Sequence, residues 1–417
     1  MQQPAAATEH PATISVIIPT FNQAQYLADA IRSALTQTLR AHEIIVVDDG
    51  STDATADVAK GFHELVRYIH QPNQGLAGAR NAGIAAADGA FIALLDSDDI
   101  WRPDHLALLA TAAASWPEAV AWIGSGACID AAGRALPQGP GHAASSATWI
   151  DRRQLLRANA IIPSAALLHR QRLVQCGGFA TDPQVLHGCE DWDLWLRLSL
   201  DGPLIGLPAA SVGYRLHPSS MSTNLALMAE AARHVMERAV GAETGDPTQW
   251  PADKRLGWGG AYRFCALTSL IRAGDWPACV DALRRALAID PSLAQDSDLF
   301  YELALGTQPL GYRGSDQQRD LSVARIAWLL GQLSVQGPHA GRPDQRQVAK
   351  TAWRALALAG YNLGDPAVAR AALGRLLRAD PRSLADATLW PLLLRATVAW
   401  PLVRHRRLAR RRAAERS

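Results

Sequence analysis

Short unbroken apolar runs alternate with helix-length amphipathic segments through the first half of the chain. Ile14-Ser15-Val16-Ile17-Ile18, Glu43-Ile44-Ile45-Val46-Val47, Arg67-Tyr68-Ile69-His70 and Ala90-Phe91-Ile92-Ala93-Leu94-Leu95 read as strands. The last of these, six apolar residues in a row, suits a strand buried on both faces, as inside parallel sheets. Helical spacing fills the gaps over residues 24–36 and 54–61, and a Gly-rich loop at 75–80 opens a helix to 87. This rhythm predicts an α/β domain with a mostly parallel sheet and right-handed crossovers. Further on, helices are expected at 103–115, 152–157, 170–175 and 190–198, strands at 119–129, 164–169 and 211–217, and a loose loop at 133–146.

From residue 225 the period becomes continuously helical. Gly274-Asp275 and Asp290-Pro291 recur as Gly364-Asp365 and Asp380-Pro381, each displaced by 90 residues. Gly after a helix and Asp-Pro at a boundary are stop and start signals, so the repeat predicts helix pairs of tetratricopeptide type. The spacing is not a multiple of 34, and an unrelated helical bundle is the plainer alternative. The domains are then 1–12, a disordered Ala/Pro-rich start; 13–224, the α/β domain; 225–388, an all-α domain; and 389–417, a tail.

Of the 417 residues, 48% are hydrophobic and the net charge is +2, an ordinary globular balance. The charge is uneven. Seven Arg against one Glu give residues 404–417 a charge of +6, behind the apolar stretch 389–403. Such a tail suits an anionic membrane surface, or else a frayed basic helix end. The body of the chain has no basic excess for nucleic acid. Five scattered cysteines without a C-x-x-C pair, no charged n-region and no long apolar run predict reduced thiols in a cytoplasmic protein, possible attachment to the inner membrane face aside.

The candidate chemistry sits where the apolar runs stop. Leu95 is followed by Asp96-Ser97-Asp98-Asp99, three carboxylates in four positions at a strand end. Open α/β sheets bind ligands at that edge. Crowded carboxylates repel unless a cation joins them, and hard oxygen donors suit Mg²⁺ or Mn²⁺. Asp49 ends another strand, where a carboxylate can accept from a base or ribose; alone, Asp-Gly-Ser-Thr is a turn with a helix cap. Gly75, Gly78 and Gly83 allow close backbone approach, and Arg80 can pair with a diphosphate. Glu190-Asp191-Trp192 starts a helix whose dipole favours the two acids and would keep Asp191 ionised. Trp101, Trp192 and Trp195 can stack on sugars, although helical period explains Trp195 as core. No P-loop and no convincing G-x-G-x-x-G follows the first strand.

Taken together and in this order, Pro19-Thr20-Phe21-Asn22, Asp48-Asp49-Gly50-Ser51-Thr52-Asp53, Gly75 through Arg80-Asn81-Ala82-Gly83, Asp96-Ser97-Asp98-Asp99 and Glu190-Asp191-Trp192 resemble family 2 of the glycosyltransferases, inverting enzymes of the GT-A fold. The resemblance covers residues 13–223. It implies a nucleotide-sugar donor, with uridine favoured, a divalent Mn²⁺ or Mg²⁺, and one displacement at the anomeric carbon. It further implies that Pro19, Thr20, Phe21, Asn22 and Asp49 hold the nucleotide, that Arg80 lies near base or diphosphate, and that Asp96 meets ribose or metal. Asp98 would bind the metal, with His217 as an additional ligand. Asp191 matches the general base, with Glu190 beside it. Trp195 is followed by Leu196-Arg197-Leu198, so the Q-x-x-R-W signature of polymerising members is missing, which implies a single sugar per encounter. The acceptor would be a glycan, a lipid-linked glycan or a protein. Two other readings compete: a nucleotidyltransferase that makes nucleotide sugars, and a helical-repeat scaffold carrying an inactive sugar-binding domain.

Overall fold

The computed structural model describes residues 13–136, 146–182, 188–217, 225–306, 323–334, 344–385, 389–390 and 392. The basic tail and most of the loop at 133–146 lie outside these residues. The described residues form two compact units, one of 13–136, 146–155 and 159–216, the other of 156–158 and 217 onward.

The first unit is built on one nine-stranded sheet. Its first half is the alternation read from the sequence: β1 (Ile14–Thr20), α1 (Ala24–Leu35), β2 (Glu43–Asp48), α2 (Thr55–Lys60), β3 (Arg67–His70), α3 (Gly75–Ala86) and β4 (Phe91–Leu94). β1 lies between β2 and β4, β3 lies outside β2, and all these pairs are parallel. Parallel pairing puts the carboxyl ends of β1, β2 and β4 at one edge, with Thr20 opposite Asp48 in register.

Beyond β4 the sheet turns mixed. The elements that follow are β5 (Ile100–Trp101), α4 (His105–Ser115), β6 (Ala121–Ile129), β7 (Thr148–Ile150), α5 (Arg152–Arg157), β8 (Ala166–His169), α6 (Arg170–Gln175), α7 (Glu190–Leu198) and β9 (Leu204–Arg215). The strand order is β3-β2-β1-β4-β8-β6-β9-β5, with β7 paired to β9. β8 runs antiparallel to both β4 and β6, while β6 and β9 are parallel. The two shortest strands, β5 and β7, have too few residues to show a period, and both are held by β9.

The expected Gly-rich loop at 75–80 is helix: α3 begins at Gly75 itself, whose φ is +79°. Gly83 serves packing in this helix. A Cβ at Gly83 would fall 2.4 Å from Ile17 Cγ2 and 3.3 Å from Val47 Cγ2, so α3 lies directly on β1 and β2. Gly83→Ala is therefore expected to cost about 1–3 kcal/mol, as overpacking of a filled core does. A denaturant midpoint unchanged from wild type would refute this contact.

In the second unit, α8 (Leu225–Val240) packs on α9 (Ala252–Ala273), which pairs with α10 (Trp276–Ile289). Then come α11 (Ser297–Leu305), α12 (Val323–Ser334), and the pair α13 (Gln345–Leu363) and α14 (Pro366–Ala379). The two pairs are the two copies seen in the sequence. Gly274 and Gly364 end the first helix of each pair at φ +65° and +85°. Asp275 and Asp365 cap the second helix, accepting from Ala278 N and from Ala367 N and Val368 N. The unit is thus helical in the hairpin manner the tetratricopeptide likeness implied. Between the copies, α11 packs on α9 and α13, and α12 on α10, α13 and α14.

All five cysteines lie among the described residues, and none of them forms a disulfide. Among the described residues no helix is long and apolar enough to cross a membrane.

Candidate active site

The polar ends of β1 and β2 are locked to each other. Asn22 sits at φ +51°, and its side-chain oxygen accepts from Thr52 N at 2.8 Å and Asp53 N at 3.3 Å. Asn22 N donates back to Ser51 Oγ. Asp53 and Thr55 in turn accept from Ala24 N and Gln23 N, so the loop after β2 caps α1. Asn22 thus ties the loop after β1 to the loop after β2. Asp48 is buried and accepts from Tyr68 Oη at 2.6 Å and Ser51 N at 2.9 Å. Burial works against its charge, but these donors hold the carboxyl below its ordinary range.

Asp49 is buried beside this loop, and one of its oxygens accepts from Gln71 Nε2 at 2.7 Å and Gln74 N at 2.9 Å. Pro19 and Thr20 are buried in β1, and Thr20 Oγ1 has no hydrogen-bond partner. Phe21 is 46% exposed, a large aromatic face left open at the sheet edge. A buried orphan hydroxyl, an oriented carboxylate and an open ring together suit a nucleobase.

The three acids after β4 separate into three roles. Asp99 is fully buried; its oxygens accept from Ser164 Oγ at 2.6 Å and Arg215 N at 2.9 Å. Ser164 Oγ also accepts from Asp96 N. Arg215, itself buried, donates to the Asp98 carbonyl and to the Ala131 carbonyl and lies over the Tyr26 ring. This frame leaves Asp98 half-buried and Asp96 turned to Arg80. Burial, then the charges of Asp98 and Asp96, push the Asp99 carboxyl well above its ordinary range. The acids of this loop therefore repel, the condition that a cation relieves. Among the described residues no three His, Cys, Asp or Glu side chains form a ready cage. Asp96 and Asp98 offer hard oxygen donors of the kind Mg²⁺ takes one or two of, the remainder coming from phosphate and water.

Arg80 is placed differently from the expectation of an open diphosphate ligand. It is 1% exposed, and its two terminal nitrogens donate to Asp96 Oδ1 at 2.7 Å and Glu190 Oε1 at 2.8 Å, over the Phe179 ring, while its Nε is buried without a hydrogen-bond partner. Burial opposes its charge, and the two carboxylates outweigh that and hold it protonated. Arg80 is the bridge between the acidic loop and the first turn of α7. Asn81 anchors the same stretch, bonding both the N–H and the carbonyl of Phe179.

On α7, Glu190 and Asp191 are both buried. Glu190 Oε2 has no hydrogen-bond partner. Asp191 accepts from Trp192 N at 2.7 Å and from Asn159 Nδ2. The expected ionising effect of the helix dipole does not prevail. Burial, then the charge of Glu190, raise the Asp191 carboxyl to about 7, against the pull of Asn159, Arg80 and Trp192 N–H. Trp101, Trp192 and Trp195 present no open face for a sugar. All three are buried, with Trp101 Nε1 on the Ser164 carbonyl and Trp192 Nε1 on the Leu155 carbonyl. His217 is also buried, at the start of the second unit.

Sequence reasoning missed Gln71, Asn159, Ser164 and Arg215. Each stands in a stretch with no repeated spacing, and each acts on an acid far away in the chain.

The sheet and the acids at its edge make the first unit a GT-A-type domain. Residues 15–160 match the family model described as glycosyl transferase family 2. An uncharacterized glycosyltransferase of Nostoc sp. is 50% identical over 97 residues, covering 22% of this chain and 30% of that protein. Glycosyltransferase GlyA of Streptococcus pneumoniae is 41% identical over 99 residues, covering 23% of this chain and 14% of that protein. The matched stretch thus spans less than a third of either relative. Among solved structures, residues 1–349 of TarS from S. aureus align over 90% of this chain and 92% of that one, with a TM-score of 0.44 and 15% identity.

Proposed function

We propose that this chain transfers one glycosyl group from a nucleotide-sugar donor to an acceptor hydroxyl, with inversion at the anomeric carbon and Asp191 as general base. The observation that carries the reading is the Arg80 bridge, which ties the acidic loop to the Glu190–Asp191 pair. The family 2 match supports glycosyl transfer over the nucleotidyltransferase and scaffold alternatives.

In this mechanism Phe21, Thr20, Pro19 and Asp49 hold the nucleobase side of the donor, and Asn22 keeps their loops in place. Asp98 and Asp96 are the residues that would hold Mn²⁺ or Mg²⁺, which supplies positive charge against the growing charge of the leaving diphosphate. The acceptor oxygen bonds to the anomeric carbon as that carbon's bond to the diphosphate oxygen breaks. The acceptor proton passes to an Asp191 oxygen, and the nucleoside diphosphate leaves with the bonding electron pair. Proton removal of this kind is worth about 10²–10⁴ in rate. The donor nucleotide is proposed to be uridine diphosphate, and the acceptor a glycan, lipid-linked glycan or protein.

The test is calorimetric titration of UDP and UDP-sugars into wild type and Asp98→Ala, with and without Mn²⁺. Wild type is expected to bind at least tenfold tighter with the metal, and Asp98→Ala to lose that gain while keeping its melting temperature. Metal-independent affinity in wild type would overturn the role of the acidic loop.

A further inference from the structure

The strongest unassigned feature beside the site is the way Asp191 is held. Asn159 lies on the segment after α5, and its single amide nitrogen is 3.1 Å from Asp191 Oδ1 and 3.1 Å from Oδ2. At the amide's other end Asn159 Oδ1 faces Ile161 N at 3.5 Å, a long contact that agrees with this orientation. The NH₂ group therefore faces the carboxylate, and an NH₂ donates but does not accept. Straddling both oxygens suits the ionised carboxylate best, since protonation turns one of the two oxygens into a donor. Asp191 Oδ1 has a second donor in Trp192 N. Oδ2 has only its share of the Asn159 amide and is the oxygen with room for an incoming proton.

We propose that Asn159 is the positioning residue of this site: its amide fixes the plane of the Asp191 carboxylate and favours the form able to accept the acceptor's proton. The proposal rests on the reading of Asp191 as base, and it adds a residue outside the acidic motifs. The charged groups acting on Asp191 are Glu190, on its own helix, and Arg80, from α3. Burial and Glu190 disfavour the ionised form, Arg80 favours it, and among the described residues Asn159 is the side chain that donates a hydrogen bond to Asp191. Asn159 does not touch the reacting atoms in this scheme. It acts through Asp191.

A direct titration tests this without a substrate. The full chain is labelled with ¹³Cγ-aspartate and its carboxyl shifts are followed from pH 4 to 10, the Asp191 signal being the one lost in Asp191→Asn. Wild type is expected to titrate near pH 7. A hydrogen bond to a charged group is worth enough to move Asn159→Ala up by about 1–2 pH units. Asn159→Ser, which keeps one donor, should fall between and serves if the Ala variant does not fold. A midpoint within about 0.3 unit of wild type in both variants would overturn the proposal. In turnover, the same shift would lower the rate at pH 7 by about 5- to 50-fold and spare it at pH 9.5; an equal loss at every pH would mark Asn159 as merely structural and overturn the role. Asp191→Asn, assayed in parallel, separates the two ideas. Full turnover there would refute the base, whereas its collapse beside an unmoved Asn159→Ala would refute only the positioning role.

Discussion

Asp191→Asn is expected to lower kcat by about 10²–10⁴ while leaving nucleotide and metal affinity within a few fold of wild type. The substitution keeps the volume and one oxygen to accept from Trp192 N, and it replaces the other oxygen of the carboxylate by an NH₂ that cannot take a proton. The pH dependence sharpens this. A base works only when ionised, and burial with Glu190 has raised Asp191 to about 7. Wild-type kcat should therefore rise with pH, with its half-maximum near 7, and the Asn variant should lack that limb. Stability should move the other way. A carboxyl raised in the folded state contributes stability that is present below its unfolded value of about 3.9 and is lost as pH climbs to about 7. At pH 8 the neutral Asn variant should therefore melt higher than wild type. A dead enzyme that is more stable cannot be explained by misfolding. Turnover within a few fold of wild type would remove Asp191 from the role, and a matching collapse in Glu190→Gln would transfer it there.

How far the site could be read in advance follows from how each part is encoded. The strand ends were legible because apolar runs buried on both faces leave no other reading, and the acids stand directly after them. β9 was only half visible: Leu204-Ile205-Gly206-Leu207-Pro208 carries a Pro and a Gly that argue against a strand interior, yet the first part pairs with β6 and β7. What Gly83 meets was illegible for a related reason. Sequence shows that Gly lets a backbone come close but not to what, and Gly83 meets Ile17 and Val47. The carboxylate partners of Arg80, Asp96 and Glu190, were not legible either. A basic residue near acids can serve a ligand or the acids themselves, and only burial decides between them. Asn159, Ser164 and Arg215 were illegible because their partners are 32, 65 and 116 residues away.

Arg80→Met is expected to destabilise the first unit by about 3–5 kcal/mol at neutral pH, the range for removing one partner of a buried ion pair. Met keeps much of the side-chain volume, so lost packing contributes little beside the lost charge. The penalty falls mainly on Glu190, which is buried and already has one oxygen without a partner. Asp96, with more of its side chain exposed, can be rehydrated at lower cost. That asymmetry makes the double variant decisive. Glu190→Gln alone leaves Arg80 with Asp96 and should cost less than Arg80→Met. Adding Glu190→Gln to Arg80→Met removes the stranded charge and should restore part of the loss, so the two changes are strongly non-additive. Additive penalties would mean that Arg80 stabilises chiefly through Asp96 or through Phe179, above which its guanidinium lies at 5.0 Å. The same variant bears on chemistry. If Arg80 is the bridge, freeing Glu190 and the acidic loop from each other should weaken UDP binding with Mn²⁺ and lower kcat together, because one residue orders both sides of the site. If Arg80 met the diphosphate directly, Arg80→Lys would retain most of the affinity. A point charge cannot reproduce two bonds to two separate carboxylates, so the bridge predicts that Arg80→Lys fails nearly as badly as Arg80→Met.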